Sequence, residues 1–354
     1  AATTAGAALP AELGFRCGFV GHLGYEAWRW LGPAAAAAEL QPASEELGSG
    51  AAEESALLFA DRLLAFDHGT RRLYLLCLCR DDGGERAASS RALGERWLAR
   101  MRNALRIIAA EAEPPAAEPA ARGGGGGVVR FVSDRGEAEY LGDIARIQKE
   151  LRDGETYEVC LTTAMRCATH APPPLPLYAT LRALNPAPHA AYLRFDPLRL
   201  LATDEFGPGG AAVCSSSPER FLRVGAGGAV ECRPFKGTAA RHADAAADAA
   251  AAAALLAAEK ERSENLMITD LIRNDLARVC APGSVRVPSL LAVESFATVH
   301  QLVSTVTAQL PPGRAALDAV AAAFPPGSMT GALKVRTMRL IHELERGAPR
   351  GVYS

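Results

Sequence analysis

Lysine is the residue that this sequence has least of among its charged side chains. Only four of the 38 basic residues are lysines, namely Lys149, Lys236, Lys260 and Lys334. Alanine, glycine, arginine and proline are abundant instead, which is typical of a mutational bias rather than of a function. Arginine stays protonated in proteins, whereas lysine can lose its proton and act as a nucleophile. We therefore interpret each remaining lysine as a hint that arginine would not serve at that position.

The sequence also lacks an excess of charge and a long apolar segment. Its 38 Lys and Arg against 40 Asp and Glu give a formal net charge of −2, so no basic surface for nucleic acid or anionic lipid is predicted. The longest apolar stretch, 245–258, is nearly all alanine and contains Asp248, which argues against a membrane-spanning helix. We expect no nucleic acid and no membrane among the partners.

Paired cysteines are absent as well. The eight cysteines form no CxxC pair, and their density is far below that of disulfide-stabilised secreted domains. Cys77 and Cys79 stand two apart in a strand-like run and so share a face. We expect reduced thiols in the core, as in a cytosolic or stromal protein.

Three low-complexity stretches divide the chain. They are 33–52, 111–127 and 242–258, and each is typical of a connector. The glycine run in the second lacks the Lys-Ser/Thr pair that completes a phosphate-binding loop. The chain starts at alanine without the pattern of a signal or transit peptide. We predict that it begins inside a longer polypeptide, with an N-terminal part over 1–110 that is incomplete at its start, a flexible linker over 111–127 and a larger C-terminal region over 128–354.

Strand and helix patterns occur in blocks between these connectors. Alternating apolar residues and glycine-rich turns predict strands at 60–79 (two, joined near His68), 190–195, 211–216, 220–224, 229–233, 284–288 and 299–310. Helical periodicity predicts helices over 140–151, 177–184, 260–279, 314–324 and 332–345. Because the short strands are closely spaced in sequence, they favour antiparallel pairing, and the predicted class is α+β.

Two short segments place a reactive side chain beside turn residues. The segment SSSPERF carries Glu219, which is either an acid or base at a strand edge or a surface carboxylate paired with Arg220. The segment RPFKGT carries Lys236. Pro234 removes a ladder donor and Gly237 permits close backbone approach, so this lysine is predicted on a special turn at a strand end. A solvated surface charge is the alternative.

A third segment, ENLMITDLIRND, places a carboxylate on an apolar helix face. Glu264 shares that face with Met267, Ile268 and Leu271, so it must be paired, hydrogen-bonded or bound to a metal. One carboxylate suits Mg²⁺, which keeps waters and substrate oxygens as further ligands. A capping or salt-bridging glutamate is the alternative. His300, which begins a predicted strand, is by its pattern more often a structural histidine than a catalyst.

A fourth segment, FPPGSMTGALK, is a loop rich in glycine and hydroxyl groups that opens a helix. Free N–H groups and the positive end of a helix dipole suit a carboxylate or a phosphate. An ordinary N-capped helix has the same pattern, so this segment alone indicates little.

Taken together and in this order, these segments resemble the chorismate-utilising enzymes, and among them the aminodeoxychorismate synthases of the plant and algal fused type. The motifs that carry the resemblance are GFVGHLGYE at 18–26, SSSPERF, RPFKGT, ENLMITDLIRND, GSVRVP, VHQLVSTV and FPPGSMTGALK. They cover most of the chain outside the three connectors. The resemblance implies two packed, largely antiparallel sheets, a sandwich, surrounded by helices.

Within this family, the residue matching position 236 separates the activities. Enzymes that make anthranilate or isochorismate have alanine or another non-nucleophilic residue there, whereas aminodeoxychorismate synthases have lysine. The resemblance implies that Lys236 attacks C2 of chorismate while the C4 hydroxyl leaves. Ammonia then adds at C4 and expels the lysine, which gives 4-amino-4-deoxychorismate for p-aminobenzoate and folate synthesis. Anthranilate synthase component I and a non-catalytic chorismate-binding remnant are the alternatives.

The same resemblance implies roles for further residues and partners. Glu219 matches the acid that assists hydroxyl departure, Glu264 a ligand of Mg²⁺, and His300 an active-site histidine. The expected substrate contacts are Gly237, Thr238, Ser328, Thr330 and Gly331, and Pro188 and His189 align with half of an effector pocket. Ammonia is expected from a glutamine amidotransferase domain or subunit. The expected location is the plastid stroma for a plant or algal source and the cytoplasm otherwise.

The sequence departs from the family pattern in its last quarter. The family has Gly-Gly where this chain has Pro326-Gly327, and Ala-Pro-Lys where it has Ala332-Leu333-Lys334. After the stretch that resembles 350–354, the family continues into two strands, a carboxylate-binding arginine and a second Mg²⁺ glutamate. We therefore predict that the C-terminal strands are missing, and that residues 1–354 alone fold poorly and lack synthase activity.

Overall fold

The computed structural model describes residues 13–31, 55–111, 129–167, 173–195, 210–296 and 298–353. The chain divides into two compact units, one from Ala1–His22 and Ala56–Gly124 and the other from Leu23–Ser55 and Gly125–Ser354. The connector predicted at 33–52, and nearly all of the one at 111–127, lie outside the described residues. The domain boundaries based on them stay predictions.

The described elements are short strands and mostly short helices. The strands are β1 (Gly18–His22), β2 (Ala56–Ala60), β3 (Arg62–Asp67), β4 (Arg72–Cys77), β5 (Val132–Ser133), β6 (Glu158–Val159), β7 (Met165–Arg166), β8 (His189–Phe195), β9 (Ala211–Ser217), β10 (Arg223–Val224), β11 (Ala229–Cys232), β12 (Phe235–Ala240), β13 (Arg286–Ser295), β14 (Val299–Gln309) and β15 (Gly331–Ala332). The α-helices are α1 (Trp28–Leu31), α2 (Glu85–Glu111), α3 (Glu137–Arg152), α4 (Pro174–Leu184), α5 (Ala245–Ala257), α6 (Glu259–Ala277), α7 (Ala316–Ala323) and α8 (Lys334–Leu344). Every strand pair within these residues is antiparallel, which confirms the predicted α+β class.

The first unit contains two strand pairs and one long helix. Strand β1 pairs with β2, and β3 pairs with β4. The turn between β3 and β4 is closed by Asp67, whose Oδ1 accepts the N–H of Gly69 at 2.9 Å. This side-chain turn is a common use of aspartate between strands, and it confirms the hairpin predicted near His68. The 27-residue helix α2 was not predicted.

The second unit is built on a five-stranded antiparallel sheet. Strand β14 lies at its centre, with β13 on one edge and both β12 and β11 on the other, and β10 pairs with β11. Between Phe235 and Thr238 the register of β12 against β14 shifts by one residue. The extra residue makes this a β-bulge, a feature that bends a strand and re-aims its side chains.

The core of the second unit lies between this sheet and helices α6 and α7. Leu276 of α6 and Val306 of β14 are fully buried in one apolar cluster, together with Val230 and Ala319. Ile268, on the same helix as Leu276, is also buried. The predicted apolar face of α6 is therefore the face that packs, because residues at spacings of three and four share one side of a helix.

Three predictions about local structure were wrong. Residues 245–257 form helix α5 rather than a connector, because alanine is the strongest helix former and the Asp244 carboxylate caps the first turn by accepting the N–H of Ala247 at 2.8 Å. Strand β12 continues through Lys236, where a turn was predicted. Helix α8 begins at Lys334 rather than two residues earlier, because Gly331 and Ala332 pair with β6 as strand β15.

The eight cysteines are free thiols. Cys232 and Cys280 are buried, as predicted for core thiols, whereas the other six are partly exposed. Among the helices of the described residues, none is long and apolar enough to cross a membrane.

Candidate functional site

Lys236 lies on the bulge of strand β12 and forms an ion pair in the interior of the second unit. Its Nζ donates to Oε1 of Glu158, and the two side chains are only 19% and 15% exposed. Gly237, the next residue, has φ +86°, a conformation that glycine adopts without strain. A Cβ at Gly237 would lie 2.9 Å from Cβ of Glu261. The lysine is therefore a positioned, mostly buried amine and not the solvated surface charge of the alternative interpretation.

Glu158 reaches Lys236 because strands β6 and β15 pair very closely. Gly331 is paired with Val159 and Ala332 with Glu158, and Gly331 has φ +136°. A Cβ at Gly331 would lie 1.9 Å from the carbonyl oxygen of Glu158. The buried Thr156 hydroxyl adds a hydrogen bond of 2.6 Å to the Ala332 carbonyl. These contacts fix the backbone that carries Glu158.

Gly331→Ala is expected to lower the free energy of unfolding by about 2 kcal/mol or more, because alanine is strained at this φ and its Cβ would overlap the Glu158 carbonyl. Denaturant unfolding of the purified protein measures it. Gly142→Ala is the matched control, since Gly142 lies exposed in α3 with nothing within 4 Å of the added Cβ. The control should gain about 0.5–1 kcal/mol. Equal stability of both variants would contradict the described pairing of β6 with β15.

Burial and nearby charges both affect the pKa values of Lys236 and Glu158. Burial raises the pKa of Glu158, opposed by the charge and hydrogen bond of Lys236, and the charge of Glu264 raises it further. Burial lowers the pKa of Lys236, but Glu158 and Glu264 outweigh that effect and leave this pKa above its ordinary value. Lys236 is consequently an ammonium group at rest. Oε2 of Glu158 is buried and has no hydrogen-bond partner among the described residues.

Glu219 is the second acidic group beside Lys236. Burial raises its pKa to about 7, against opposing contributions from the Lys236 charge, the Phe235 N–H and the Ser328 hydroxyl. Arg220, its expected surface partner, pairs instead with Glu231. Glu219 is therefore a carboxyl group that is about half protonated near neutral pH, which is the property of a general acid.

A cavity of about 560 Å³ opens beside Glu219. Its walls come from strand β9, helix α6 and the loop before β15, and they include Ser215, Ser328, Met329 and Tyr353. Of the predicted substrate contacts, Ser328 lines this cavity. Thr330 is fully buried and donates its hydroxyl to the Pro326 carbonyl at 2.9 Å.

The other three predicted contacts take different positions. Gly237 and Gly331 are backbone positions that allow the bulge and the strand pair to form, and Thr238 is exposed. Their contact with a substrate stays a prediction.

Glu264 is a partly exposed carboxylate on helix α6. Its side chain is 27% exposed, and its ion pair with Lys260 is long, at 3.7 Å, to a lysine that is itself 79% exposed. Mg²⁺ is commonly held by one or two carboxylates together with waters and substrate oxygens, which fits one accessible carboxylate. Within the part of the chain that the structure describes, no cluster of three His, Cys, Asp or Glu side chains could hold a metal.

His300, on strand β14, lies in a hydrogen-bonded network with residues of helix α5 and strand β13. Its side chain is 3% exposed, Nε2 lies 3.0 Å from Oδ1 of Asp248, and Nδ1 lies 2.8 Å from Oγ of Ser295. Both ring nitrogens are thus engaged by protein groups. This arrangement supports the structural interpretation of His300, and its place in the active site stays a prediction.

Pro188 and His189 lie exposed at the start of strand β8. Burial and the charge of Arg220 lower the pKa of His189. The structure does not test the effector pocket predicted there.

Residues 3–354 match the model of the chorismate binding enzyme family. The chain belongs to this family. A curated relative described as aminodeoxychorismate synthase, from Streptomyces pristinaespiralis, is 45% identical over 347 residues, which is 98% of this chain and 43% of the relative. One from Oryza sativa subsp. japonica, described as probable aminodeoxychorismate synthase, chloroplastic, is 37% identical over 96% of this chain and 37% of the relative. The crystal structure of anthranilate synthase component I from Streptococcus pneumoniae superposes with a TM-score of 0.72 at 25% identity, covering 98% of this chain and 69% of that one.

The chain spans about two fifths of the length of the curated relatives that it matches. The structural match agrees with the mixed helix and antiparallel sheet architecture of this chorismate binding enzyme. The family assignment predicted from the motifs is confirmed.

One group in the site, Glu158, was missed by the sequence analysis. Glu158 belongs to the strand β6, which is only two residues long, and its role depends on a contact with a residue 78 positions away. Lys334 is 5% exposed and pairs with Asp275, the last residue of the ENLMITDLIRND segment. The sequence analysis noted this lysine because lysines are scarce in the chain. It predicted no partner for Lys334, because the segment was interpreted only as a loop that opens a helix.

Proposed function

We propose that this chain is the chorismate-aminating part of an aminodeoxychorismate synthase, which converts chorismate and ammonia into 4-amino-4-deoxychorismate. The observation that carries the proposal is the buried amine of Lys236, held by Glu158 and beside the acid Glu219. A nucleophile and an acid in one interior site are what a substitution at a hydroxyl-bearing carbon requires. The names of the Streptomyces and rice relatives support it.

In the proposed reaction, Lys236 supplies the nucleophile and Glu219 supplies a proton. The Nζ lone pair forms a bond to C2 of chorismate, the two ring double bonds shift, and the C4–O bond breaks with the oxygen leaving as water on the proton of Glu219. Ammonia then bonds to C4 and the double bonds shift back as Nζ leaves C2. The product ammonium returns one proton to Glu219. The lysine thus divides one difficult substitution into two easier ones.

Glu264 is proposed as one ligand of Mg²⁺. A magnesium ion bound there would neutralise a carboxylate of chorismate. Ser328, on the cavity beside Glu219, is proposed to contact the substrate.

Ammonia is proposed to come from a glutamine amidotransferase domain or subunit. The word "component" in the description of the pneumococcal structure is compatible with a multi-part enzyme. The rice relative's description as chloroplastic supports a plastid stroma location for a plant or algal source, with the cytoplasm as the other case.

Anthranilate synthase is the second candidate, because a solved anthranilate synthase component I shares this fold at 25% identity. The two functions differ in their products. Anthranilate synthase releases pyruvate and an aromatic amine, whereas aminodeoxychorismate synthase keeps the enolpyruvyl group. Lys236 supports the first function, since the alanine that the resemblance implies for the alternative has no nucleophilic atom.

Because residues 1–354 alone are predicted to lack synthase activity, the test uses the longer polypeptide that contains them, supplies it with chorismate, ammonium and Mg²⁺, and identifies the product by chromatography and mass spectrometry. We expect 4-amino-4-deoxychorismate without pyruvate release. Anthranilate with equimolar pyruvate would establish the second candidate. Chorismate binding without any product would establish a non-catalytic binding protein.

Glu264→Gln is expected to raise the Mg²⁺ concentration for half-maximal turnover about tenfold or more, because the change removes a charged ligand from a hard-cation site. Calorimetric titration of Mg²⁺ in the presence of chorismate gives the same comparison without turnover. Asp270→Asn on the same helix is the control, since Asp270 is 72% exposed and pairs with Arg273. An unchanged Mg²⁺ requirement in Glu264→Gln would make this residue only the partner of Lys260.

A further inference from the structure

Before Lys236 can act as a nucleophile, another group must accept a proton from its Nζ. Neither Glu219 nor the proposed magnesium ligand Glu264 has that role. The pKa of Lys236 is raised, so the resting side chain is an ammonium group without a lone pair. An ammonium group cannot attack carbon, and therefore one proton must leave Nζ before the bond to C2 forms. Glu219 cannot accept this proton, because in the same step it has to donate its own proton to the departing hydroxyl.

One carboxylate within the described residues is in hydrogen-bond contact with Nζ. Glu158 Oε1 accepts directly from Nζ, and Oε2 is buried without a partner. The carboxylate therefore has an oxygen in place to receive the proton and a second oxygen with unused acceptor capacity.

We propose that Glu158 is a catalytic residue that takes the proton from the Lys236 ammonium when chorismate binds. The inference rests on the proposed function, since it concerns the nucleophile of that reaction. The Nζ–H bond breaks, its electron pair stays on Nζ, and the proton bonds to Glu158. After ammonia has expelled the lysine from C2, Nζ is a neutral amine and takes the same proton back. Glu158 and Lys236 then form the original ion pair, and no other reactant is needed.

Substrate binding supplies the driving force for this transfer. Among the described residues, few other charges influence the pKa values of this pair. The charge of Glu264, on α6, raises the pKa of both Lys236 and Glu158, and Cys160 raises that of Lys236. The charge of Lys236 in turn lowers the pKa of Glu219. The Lys236 and Glu158 side chains are still 19% and 15% exposed, and a substrate bound against them would remove the remaining water. Burial disfavours the charged form of a carboxylate and of an amine alike, so desolvation favours the neutral pair over the ion pair.

An alternative role for Glu158 is to hold the lysine in place and nothing more. The two roles differ in their pH dependence. A proton acceptor inside the site makes attack independent of the proton concentration outside it. Without that acceptor, Nζ must lose its proton to solvent, and the attacking fraction then follows the pH until the amine is fully deprotonated.

The experiment measures the rate at which the Lys236 adduct forms in a single turnover without ammonia, by quenching and mass spectrometry, between pH 6 and pH 9 with Mg²⁺ saturating. Wild type, Glu158→Gln and Glu158→Asp are compared, with Glu155→Gln as the control. Glu155 lies three residues earlier, is half exposed and pairs with Arg336. The result is expressed as the ratio of variant to wild-type rate, because the titration of Glu219 is common to both and cancels.

For Glu158→Gln we expect a ratio below one tenth at pH 6 that rises with pH toward one. Glu158→Asp keeps a carboxylate and should lie closer to wild type at every pH, and Glu155→Gln should give a ratio near one throughout. A ratio for Glu158→Gln that stays constant from pH 6 to pH 9 would overturn the proton-transfer role, whether that ratio is low or near one. Absence of an adduct in the wild type would be a different failure, because it overturns the proposed function itself.

Discussion

Lys236→Ala is expected to abolish the adduct and to lower turnover of chorismate at least about a hundredfold, because it removes the nucleophile of the reaction. Binding of chorismate should change little, since the change leaves the cavity beside Glu219 intact. Mass spectrometry of the peptide that contains residue 236, together with ammonia-dependent turnover, measures both effects.

Lys236→Arg separates the nucleophile from the charge. Arginine keeps the positive charge beside Glu158 but does not lose its proton, so this variant is expected to be as inactive as the alanine variant. Lys149→Ala is the control, because Lys149 is 69% exposed and pairs with Asp153, the residue that follows helix α3. A normal rate in Lys236→Ala, with no adduct in the wild type, would exclude the covalent route.

Glu219→Gln has the second large expected effect, a fall in the turnover rate of about 10²- to 10⁴-fold, as for the loss of a general acid. The wild type should show a matching pH dependence. Since the pKa of Glu219 is raised by burial to about 7, its protonated fraction, and with it the rate, should fall as the pH rises through 7. The variant has no proton to lose there, so its residual rate should lack this decline.

A stability measurement distinguishes this loss of chemistry from a loss of folding. Because the pKa of Glu219 is higher in the folded protein than in the unfolded chain, the folded state binds more protons between about pH 4 and pH 7. The contribution of this group to stability therefore falls as the pH rises through that window. Glu219→Gln should be at least as stable as the wild type at pH 8, and its inactivity cannot then be attributed to unfolding.

A control for the pH dependence is Glu231→Gln. Glu231 pairs with Arg220 at a partly exposed position and lies outside the proposed reaction. It should keep the decline in rate above pH 7. If the decline also disappeared in this variant, or persisted in Glu219→Gln, the proton donor would be another group.

Local sequence determined much of the secondary structure, because it depends on spacings within a few residues. The apolar face of α6 and the hairpin closed by Asp67 follow from helical periodicity and from side-chain turns. For the alanine-rich residues 245–257, the same reasoning gave a wrong prediction. Low complexity suggested a connector, but the intrinsic helix propensity of alanine and a capping aspartate decided for a helix.

The sequence by itself also determined the family and two members of the candidate site. Lys236 stood out because lysine is rare in a chain rich in arginine, and Glu219 stood out because it interrupts strand-like runs. Both lie in long motifs, and motifs of that length identify the family without knowledge of the fold.

Only the tertiary structure decided what these two residues can do. The ion pair of Lys236 joins it to a residue 78 positions earlier, and that contact exists because Gly331, nearly a hundred positions later in the chain, lets β15 approach β6 so closely. The raised pKa of Glu219 likewise comes from burial and not from its neighbours in sequence. Desolvation and charge pairing act over distances in space, so the protonation states on which the chemistry depends were decided by the fold.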